Sequence, residues 1–362
     1  MGRQTDTSVA ANFDLEPWVI DGTGPGLVAA ILSNGRVASW TSRGCSVEAG
    51  ATLSPATVFY VASISKQFTA ACITLCERDG LLEAGASIRR YVPELPPYFD
   101  AITVRHLLHH LAGLPHGGAS GLSGSVRGEN DWRDGLGLWD LVGLLALEPA
   151  PSNAPGEAYA YSNCGYWLLA AAVERISGQS FAAFARCRLF DELGMDDSRF
   201  RDDPDTPQPG LAPGHVYHDS RYRVVSTRFH GVGDGGLLTT LNDLAKWDTF
   251  WLGTSPLGPE LPNLLLEQGR RNDGARLVYA RGNSVREHRG ERIVTHGGSF
   301  LGYQSKLVRF PDHGFSVCAL ANADVIDLDR LCIALADRVL GSRIDVRTPS
   351  WADTYREDVL AM

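Results

Sequence analysis

The sequence predicts an α+β fold: strands from both ends of the chain build one antiparallel sheet, flanked by helices, around an inserted, mainly helical lobe. Three observations carry the expectation. Short apolar strand pairs split by turn residues lie near each terminus, helical periodicity fills the middle, and a last helical stretch closes the pattern.

Residues 1–23 read as irregular. Residues 27–32 and 36–41 then flank Ser33-Asn34-Gly35, and an Asn-Gly turn between apolar runs is a hairpin signal. From 66 to 78 the spacing turns helical, with Phe68, Cys72, Leu75 and Cys76 on one face and Asp79-Gly80 as the stop, so Ser63 lies at the start of a helix. Residues 104–111 form a second helical stretch ending at Gly113, followed by a Gly/Ser-rich, solvent-facing loop over 116–128. Residues 139–147 and 166–176 are further helices, the latter closed by Ser177-Gly178, and 242–251 is another, opened by an Asn or Asp cap. Four prolines make 204–213 an irregular connection.

Residues 277–285, 292–296, 302–310 and 315–322 read as successive strands, and 328–340 as a closing helix. The expected division is an α/β lobe over 24–65 and 277–341, a helical lobe over 66–276, and a polar tail over 342–362. No internal repeat is present in the sequence.

A chain of 362 residues with 44% hydrophobic and 21% charged residues has ample material for a core. Its formal charge of −9, from 33 basic and 42 acidic residues, would repel a phosphate backbone, and Arg270 and Arg271 with the arginines up to Arg292 alternate with acidic and glycine residues. Nucleic acid is therefore not an expected partner. Residues 1–17 lack the cationic start and apolar run of a secretory signal, and no apolar run approaches the roughly 20 residues of a membrane-spanning helix. A cytoplasmic protein without a membrane partner is expected. The seven cysteines are dispersed without framework spacing, which suits reduced thiols; Cys72 and Cys76, one helical turn apart, read as packing residues rather than metal ligands.

The chemistry is concentrated in three short motifs. Ser63-Ile64-Ser65-Lys66 puts a hydroxyl and an amine three residues apart on one side of a helical turn, where a desolvated lysine can take the serine proton. Tyr161-Ser162-Asn163 and His296-Gly297-Gly298 follow in order. The chain contains neither a Gly-x-Ser-x-Gly elbow nor a His-Glu-x-x-His helix, and no glycine-rich nucleotide loop.

On these motifs the chain resembles the serine β-lactamase and penicillin-binding superfamily, in particular class C β-lactamases, D-alanyl-D-alanine carboxypeptidases and family VIII esterases. Further stretches typical of that family are Thr57-Val58-Phe59, residues 62–70, residues 102–108 before Gly113-Leu114-Pro115, and Pro155-Gly156-Glu157. Gly235-Gly236-Leu237 before Asp243-Leu244 and Phe310-Pro311-Asp312 continue the match, which runs from about Gly24 to Gly341.

The resemblance implies a β-lactamase/transpeptidase-like fold and an acyl-enzyme cycle without a cofactor. Ser63 would be the nucleophile, Lys66 its base, Tyr161 a second base that moves the proton to the leaving group, and Asn163 a substrate-orienting residue. The amides of Ser63 and Ser299, the latter just after Gly298, would form the oxyanion hole. The third motif departs from the Lys-Thr-Gly of many relatives. His296 is neutral for much of the time near pH 7, so recognition of an anionic substrate is weakened and small-molecule esters or amides are favoured. Transfer of the acyl group to an amine or alcohol, and a non-catalytic ligand-binding role, stand as alternatives.

Elsewhere the sequence points to structural roles. His106, His109 and His110 have helical spacing but no accompanying ligand set, so scaffold is expected rather than zinc. Asp234-Gly235-Gly236 reads as a tight bend forming a wall of the site. Trp139, Tyr166 and Trp167 are assigned to the core, and Trp132 to the rim.

Overall fold

A computed structural model describes residues 7–20, 22–46, 50–114, 133–148, 151, 153–251 and 255–353. The chain opens with strands β1 (Leu27–Ser33) and β2 (Arg36–Arg43), joined through Asn34 and Gly35 at φ 51° and 73°. Positive φ at both turn residues gives the twist that antiparallel strands need, and Asn-Gly adopts it with little strain. A single tight turn, Ala62–Ile64, leads into helix α1 (Ser65–Arg78), which is buried from Ser65 to Cys76; Cys72 and Cys76 thus pack in the core.

Helix α2 (Val104–Leu108) is shorter than expected. Thr103 Oγ1 accepts the His106 N–H and His106 Nδ1 accepts the Thr103 N–H, each at 3.2 Å, while His110 at φ 57° turns the chain away. Helices α3 (Leu138–Ala146) and α4 (Asn163–Ser177) follow, α4 starting three residues before the expected 166 and ending at Gly178 in the left-handed conformation, φ 69°. The sequence reading missed α5 (Phe181–Ala185) with its π-turn Arg186–Phe190, and the hairpin β3 (Gly214–His218) and β4 (Arg221–Val225). Strand β5 (Leu237–Thr239) pairs with both Phe59–Tyr60 and Arg199–Phe200.

Helix α6 (Leu241–Trp251) is capped by Thr240, whose Oγ1 accepts the Asp243 N–H at 3.1 Å; the expected Asn or Asp cap is corrected, because those residues lie inside the first turn. After α7 (Glu260–Leu265) come strands β6 (Ser284–His288), β7 (Glu291–Phe300), β8 (Tyr303–Phe310) and β9 (Phe315–Ala321), then helix α8 (Leu328–Leu340).

The six long strands form one antiparallel sheet in the order β6-β7-β8-β9-β1-β2, so β9 from the C-terminal half pairs with β1 from the start of the chain, Leu27 opposite Ala321. Side chains alternate across the sheet and both faces are covered. Val28, Ala30 and Leu32 join the core shared with α1 and α4; Leu27, Ala29 and Ile31 join the core beneath α8. Burial on both faces is why residues 27–32 and 317–321 are continuous apolar runs rather than alternating ones.

Two strand boundaries move. Residues 277–283 do not extend the sheet: Gly282, at φ 74°, passes so close to α1 that a Cβ there would stand 2.8 Å from the Lys66 carbonyl carbon. Strand β7 extends to Phe300, so His296-Gly297-Gly298 lies within a strand and not at its end.

Behind α1, Arg309 of β8 donates to Asp248 of α6 at 2.8 Å and to Gln67 of α1 at 3.0 Å. The Trp247 indole donates to the same Gln67 oxygen at 3.0 Å. All four side chains are buried, and together they fix the rotation of α1 against the sheet. The loop over 116–128, Trp132 and the end of the C-terminal tail lie outside the described residues. Among the described residues no helix is long and apolar enough to cross a membrane.

Candidate active site

Ser63 sits in the tight turn that leads into α1, immediately after Ala62, whose φ of 46° is a strained value for a residue with a Cβ. One turn on, Lys66 is fully buried, and its Nζ donates to Ser63 Oγ at 3.1 Å, to Asn163 Oδ1 at 2.9 Å and to the main-chain carbonyl of Asp234 at 2.8 Å. The first two motifs therefore meet on one ammonium, with α1 presenting the lysine and the first residue of α4 presenting Asn163. Burial pushes the Lys66 amine down to about 8, against an upward pull from Asp234 and then Cys164. Near neutral pH a fraction of the order of one tenth is unprotonated and able to accept a proton.

Tyr161 stands just ahead of α4, its ring centroid 5.0 Å from Lys66 Nζ, and Tyr166 lies 5.5 Å from the same atom. Around them pack His110 and Tyr279, with His110 to Tyr161 ring centroids 4.3 Å apart. His110 Nδ1 accepts the Ser162 N–H at 3.1 Å, which ties the turn after α2 to the segment carrying Tyr161. The positive φ of His110 is what brings its ring into this cluster.

The third motif reaches Ser63 through Gly298. A Cβ on Gly298 would run into the Val61 carbonyl oxygen and stand 2.7 Å from Ser305 Oγ and 2.8 Å from the Ser63 main-chain nitrogen. Only glycine permits that approach. Ser305 Oγ donates to the same Val61 carbonyl at 2.7 Å and ties β8 to the turn that carries Ser63. The two-residue turn Leu301-Gly302 closes β7 on β8 with Phe300 opposite Tyr303. In such a hairpin the flanking pair exchanges hydrogen bonds and the next pair, Ser299 with Gln304, points its backbone groups outward. The Ser299 N–H is thereby directed away from β8 on the strand that borders Ser63.

His296 is half-buried, with Nδ1 2.6 Å from the Gly297 carbonyl oxygen and Nε2 3.1 Å from the Tyr279 hydroxyl. Burial, and next the Lys66 ammonium, depress the imidazole to about 3, so it is neutral at physiological pH. Ser63, Lys66, Tyr161, Asn163, His296, Gly298 and Ser299 thus converge on one place. Tyr279 belongs to it too and was missed by the sequence reading, as was the bond from Lys66 to the main-chain oxygen of Asp234; a tyrosine in an irregular segment and a main-chain oxygen leave no motif to find. Asp234 is the expected wall: Gly233 and Gly236, at φ 105° and 89°, bend the chain around it, and its carboxylate accepts the Trp167 indole at 2.7 Å. Tyr60 adds to the same wall, its hydroxyl accepting the Gly236 N–H at 2.9 Å.

His106 is a helix cap, and His109 lies with its two ring nitrogens each 2.9 Å from a carbonyl oxygen, of Arg105 and of Glu267, a neutral ring donating to one of them. Among the described residues no group of three His, Cys, Asp or Glu side chains is placed to hold a metal. Tyr166 and Trp167 are buried as expected, whereas Trp139 is not: it is 38% exposed, and its indole donates to Glu174 at 2.6 Å on the outside of α4.

The beta-lactamase family model matches residues 15–339. Penicillin-binding protein 4* of Bacillus subtilis (strain 168) is 29% identical over 309 residues, covering 80% of this chain and 66% of that protein. A D-aminopeptidase of Gluconobacter oxydans (strain 621H) is 26% identical over 303 residues, covering 83% of this chain and 56% of that protein. The chain therefore spans between about half and two thirds of the length of these curated relatives. The solved structure of the octameric penicillin-binding protein homologue from Pyrococcus abyssi superposes with a TM-score of 0.76 at 25% identity, over 88% of this chain and 74% of that one.

Proposed function

The chain belongs to the beta-lactamase family, and we propose on that footing that it is a serine hydrolase of small-molecule esters or amides that works through an acyl-enzyme. The observation that carries the reading is the 3.1 Å contact between Ser63 Oγ and a buried Lys66 whose amine is pushed down to about 8. The D-aminopeptidase among the relatives is a peptidase by name, which supports amides as well as esters. All seven cysteines are free thiols, which supports the cytoplasmic assignment.

In this reading neutral Lys66 accepts the Ser63 proton as Oγ attacks the carbonyl carbon. The carbonyl oxygen takes up negative charge between the N–H groups of Ser63 and Ser299. Asn163, held by Lys66, orients the acyl group, and the Tyr161 hydroxyl passes the proton to the departing alcohol or amine. Water then attacks the Ser63 ester by the reverse proton route, releasing the acid. Intact mass spectrometry tests the reading: a fluorophosphonate adduct on the wild type that is absent from Ser63→Ala is expected, together with a loss of at least about 10³-fold in turnover. Turnover retained in Ser63→Ala would overturn it. A parallel exposure to a β-lactam reports whether an anionic acyl donor is accepted in spite of His296.

A further inference from the structure

We propose that Tyr279 is a specificity-determining residue: its hydroxyl donates to Nε2 of His296 and locks that ring as a neutral, Nδ1-protonated imidazole, so the site favours acyl donors without a carboxylate beside it. The proposal rests on the serine-hydrolase reading for its consequence, but not for the proton arrangement at its centre.

The proton positions follow from the partners. Nδ1 of His296 lies 2.6 Å from the Gly297 carbonyl oxygen, which can only accept, so Nδ1 carries the hydrogen. In a neutral ring Nε2 is then a lone pair, and the group that meets it at 3.1 Å is the Tyr279 hydroxyl, which must be the donor. The atom of His296 that would otherwise offer a proton to a substrate anion is thereby occupied by a hydroxyl proton.

Tyr279 is itself fixed. Its side chain is 2% exposed, its ring packs on His110 at 4.5 Å between centroids, and its carbonyl accepts the Gly269 N–H at 2.9 Å. The surroundings favour the neutral ring. The titratable groups facing His296 are Lys66 from α1, Tyr161 ahead of α4, Tyr279, and Lys306 from β8, opposite Gly297 and paired with Asp329 at 2.6 Å. Two are cations and none is a carboxylate. A second positive charge on His296 would be repelled by both lysines.

Two measurements on the full chain decide the matter. Nitrogen NMR of histidine-labelled protein, with His296 assigned by comparison with His296→Gln, is expected to show an unprotonated Nε2 from about pH 5 to about pH 8, the interval in which an ordinary imidazole titrates. In Tyr279→Phe burial and the Lys66 ammonium still keep the ring neutral, and the freed Nε2 is expected to change its signal as part of the population moves the ring hydrogen from Nδ1 to Nε2. The ratio of kcat/KM for monophenyl succinate to that for phenyl acetate should then rise about tenfold near about pH 7, where the succinate carboxylate is ionised, relative to wild type. A protonated Nε2 in the wild type, or a ratio unchanged in Tyr279→Phe, including a uniform loss on both esters, would overturn the proposal. Failure of the wild type to turn over either ester would instead count against the hydrolase reading, while the nitrogen spectrum would still decide the tautomer.

Discussion

Asp234 meets Lys66 through its main-chain carbonyl, at 2.8 Å, while its carboxylate turns away and accepts the Trp167 indole at 2.7 Å. The lysine therefore owes its position to a backbone bend between two left-handed glycines, and feels the Asp234 charge only through space. An acidic side chain beside a reactive amine invites the idea of an acid catalyst; the geometry makes it an electrostatic and structural neighbour instead.

Asp234→Asn should accordingly retain activity and shift its pH dependence. The carboxylate pulls the Lys66 pKa up, so its removal moves the midpoint to lower pH and enlarges the neutral fraction at pH 7. The pH profile of kcat/KM checks this, and a collapse of activity at all pH values would assign the carboxylate a direct role.

Lys66 itself sets the main acid limb. With its amine pushed down to about 8, the rate of acylation by a fluorophosphonate should rise with pH and reach half its plateau near that value. Lys66→Arg keeps a cation that does not deprotonate, so the expected loss is about 10³-fold or more across the whole range, with no alkaline recovery. Stopped-time mass spectrometry at several pH values separates the two behaviours.

The two glycines of the third motif make a paired test. At Gly298 an added methyl would collide with Val61 O and crowd Ser305 Oγ and Ser63 N, whereas at Gly297 the nearest atoms are 3.3 Å and 3.4 Å away. Gly298→Ala should cost about 1–3 kcal/mol of stability from overpacking and at least about 10²-fold in acylation. Gly297→Ala should be milder in both. Thermal unfolding alongside adduct formation checks the contrast.

What the sequence made legible was whatever local chemistry writes in a short pattern. Asn34-Gly35 announces the first hairpin, and the spacing in 328–340 matches α8 because that helix lays one apolar stripe on the sheet. Ser63, Lys66, Tyr161 and Asn163 were legible as ordered motifs. Contacts made by passing backbone were not. The segment 277–283 has strand-like residues, but Gly282 is diverted against α1, and that diversion is what delivers Tyr279 to His296. The β3–β4 hairpin and the two-residue pairings of β5 are likewise set by tertiary partners rather than by their own sequence.

The Arg309 network behind α1 gives the last prediction. Arg309→Met removes its hydrogen bonds to Asp248 and Gln67 and leaves the Asp248 carboxylate buried without its cation, held by the Ser316 hydroxyl, so a loss of about 3–5 kcal/mol in urea unfolding is expected. The loss should depend on pH with a defined sign. Burial already raises the Asp248 carboxyl pKa, partly offset by the Arg309 charge; without that charge it rises further. The folded variant then binds a proton that the unfolded chain releases, so its stability falls as pH rises and recovers as pH falls. The deficit should be smaller near about pH 5 than near about pH 8, and Asp248→Asn in the same background should remove most of that dependence. A deficit independent of pH would mean that lost packing against Trp251, whose ring lies 4.6 Å from the guanidinium, dominates over the stranded charge.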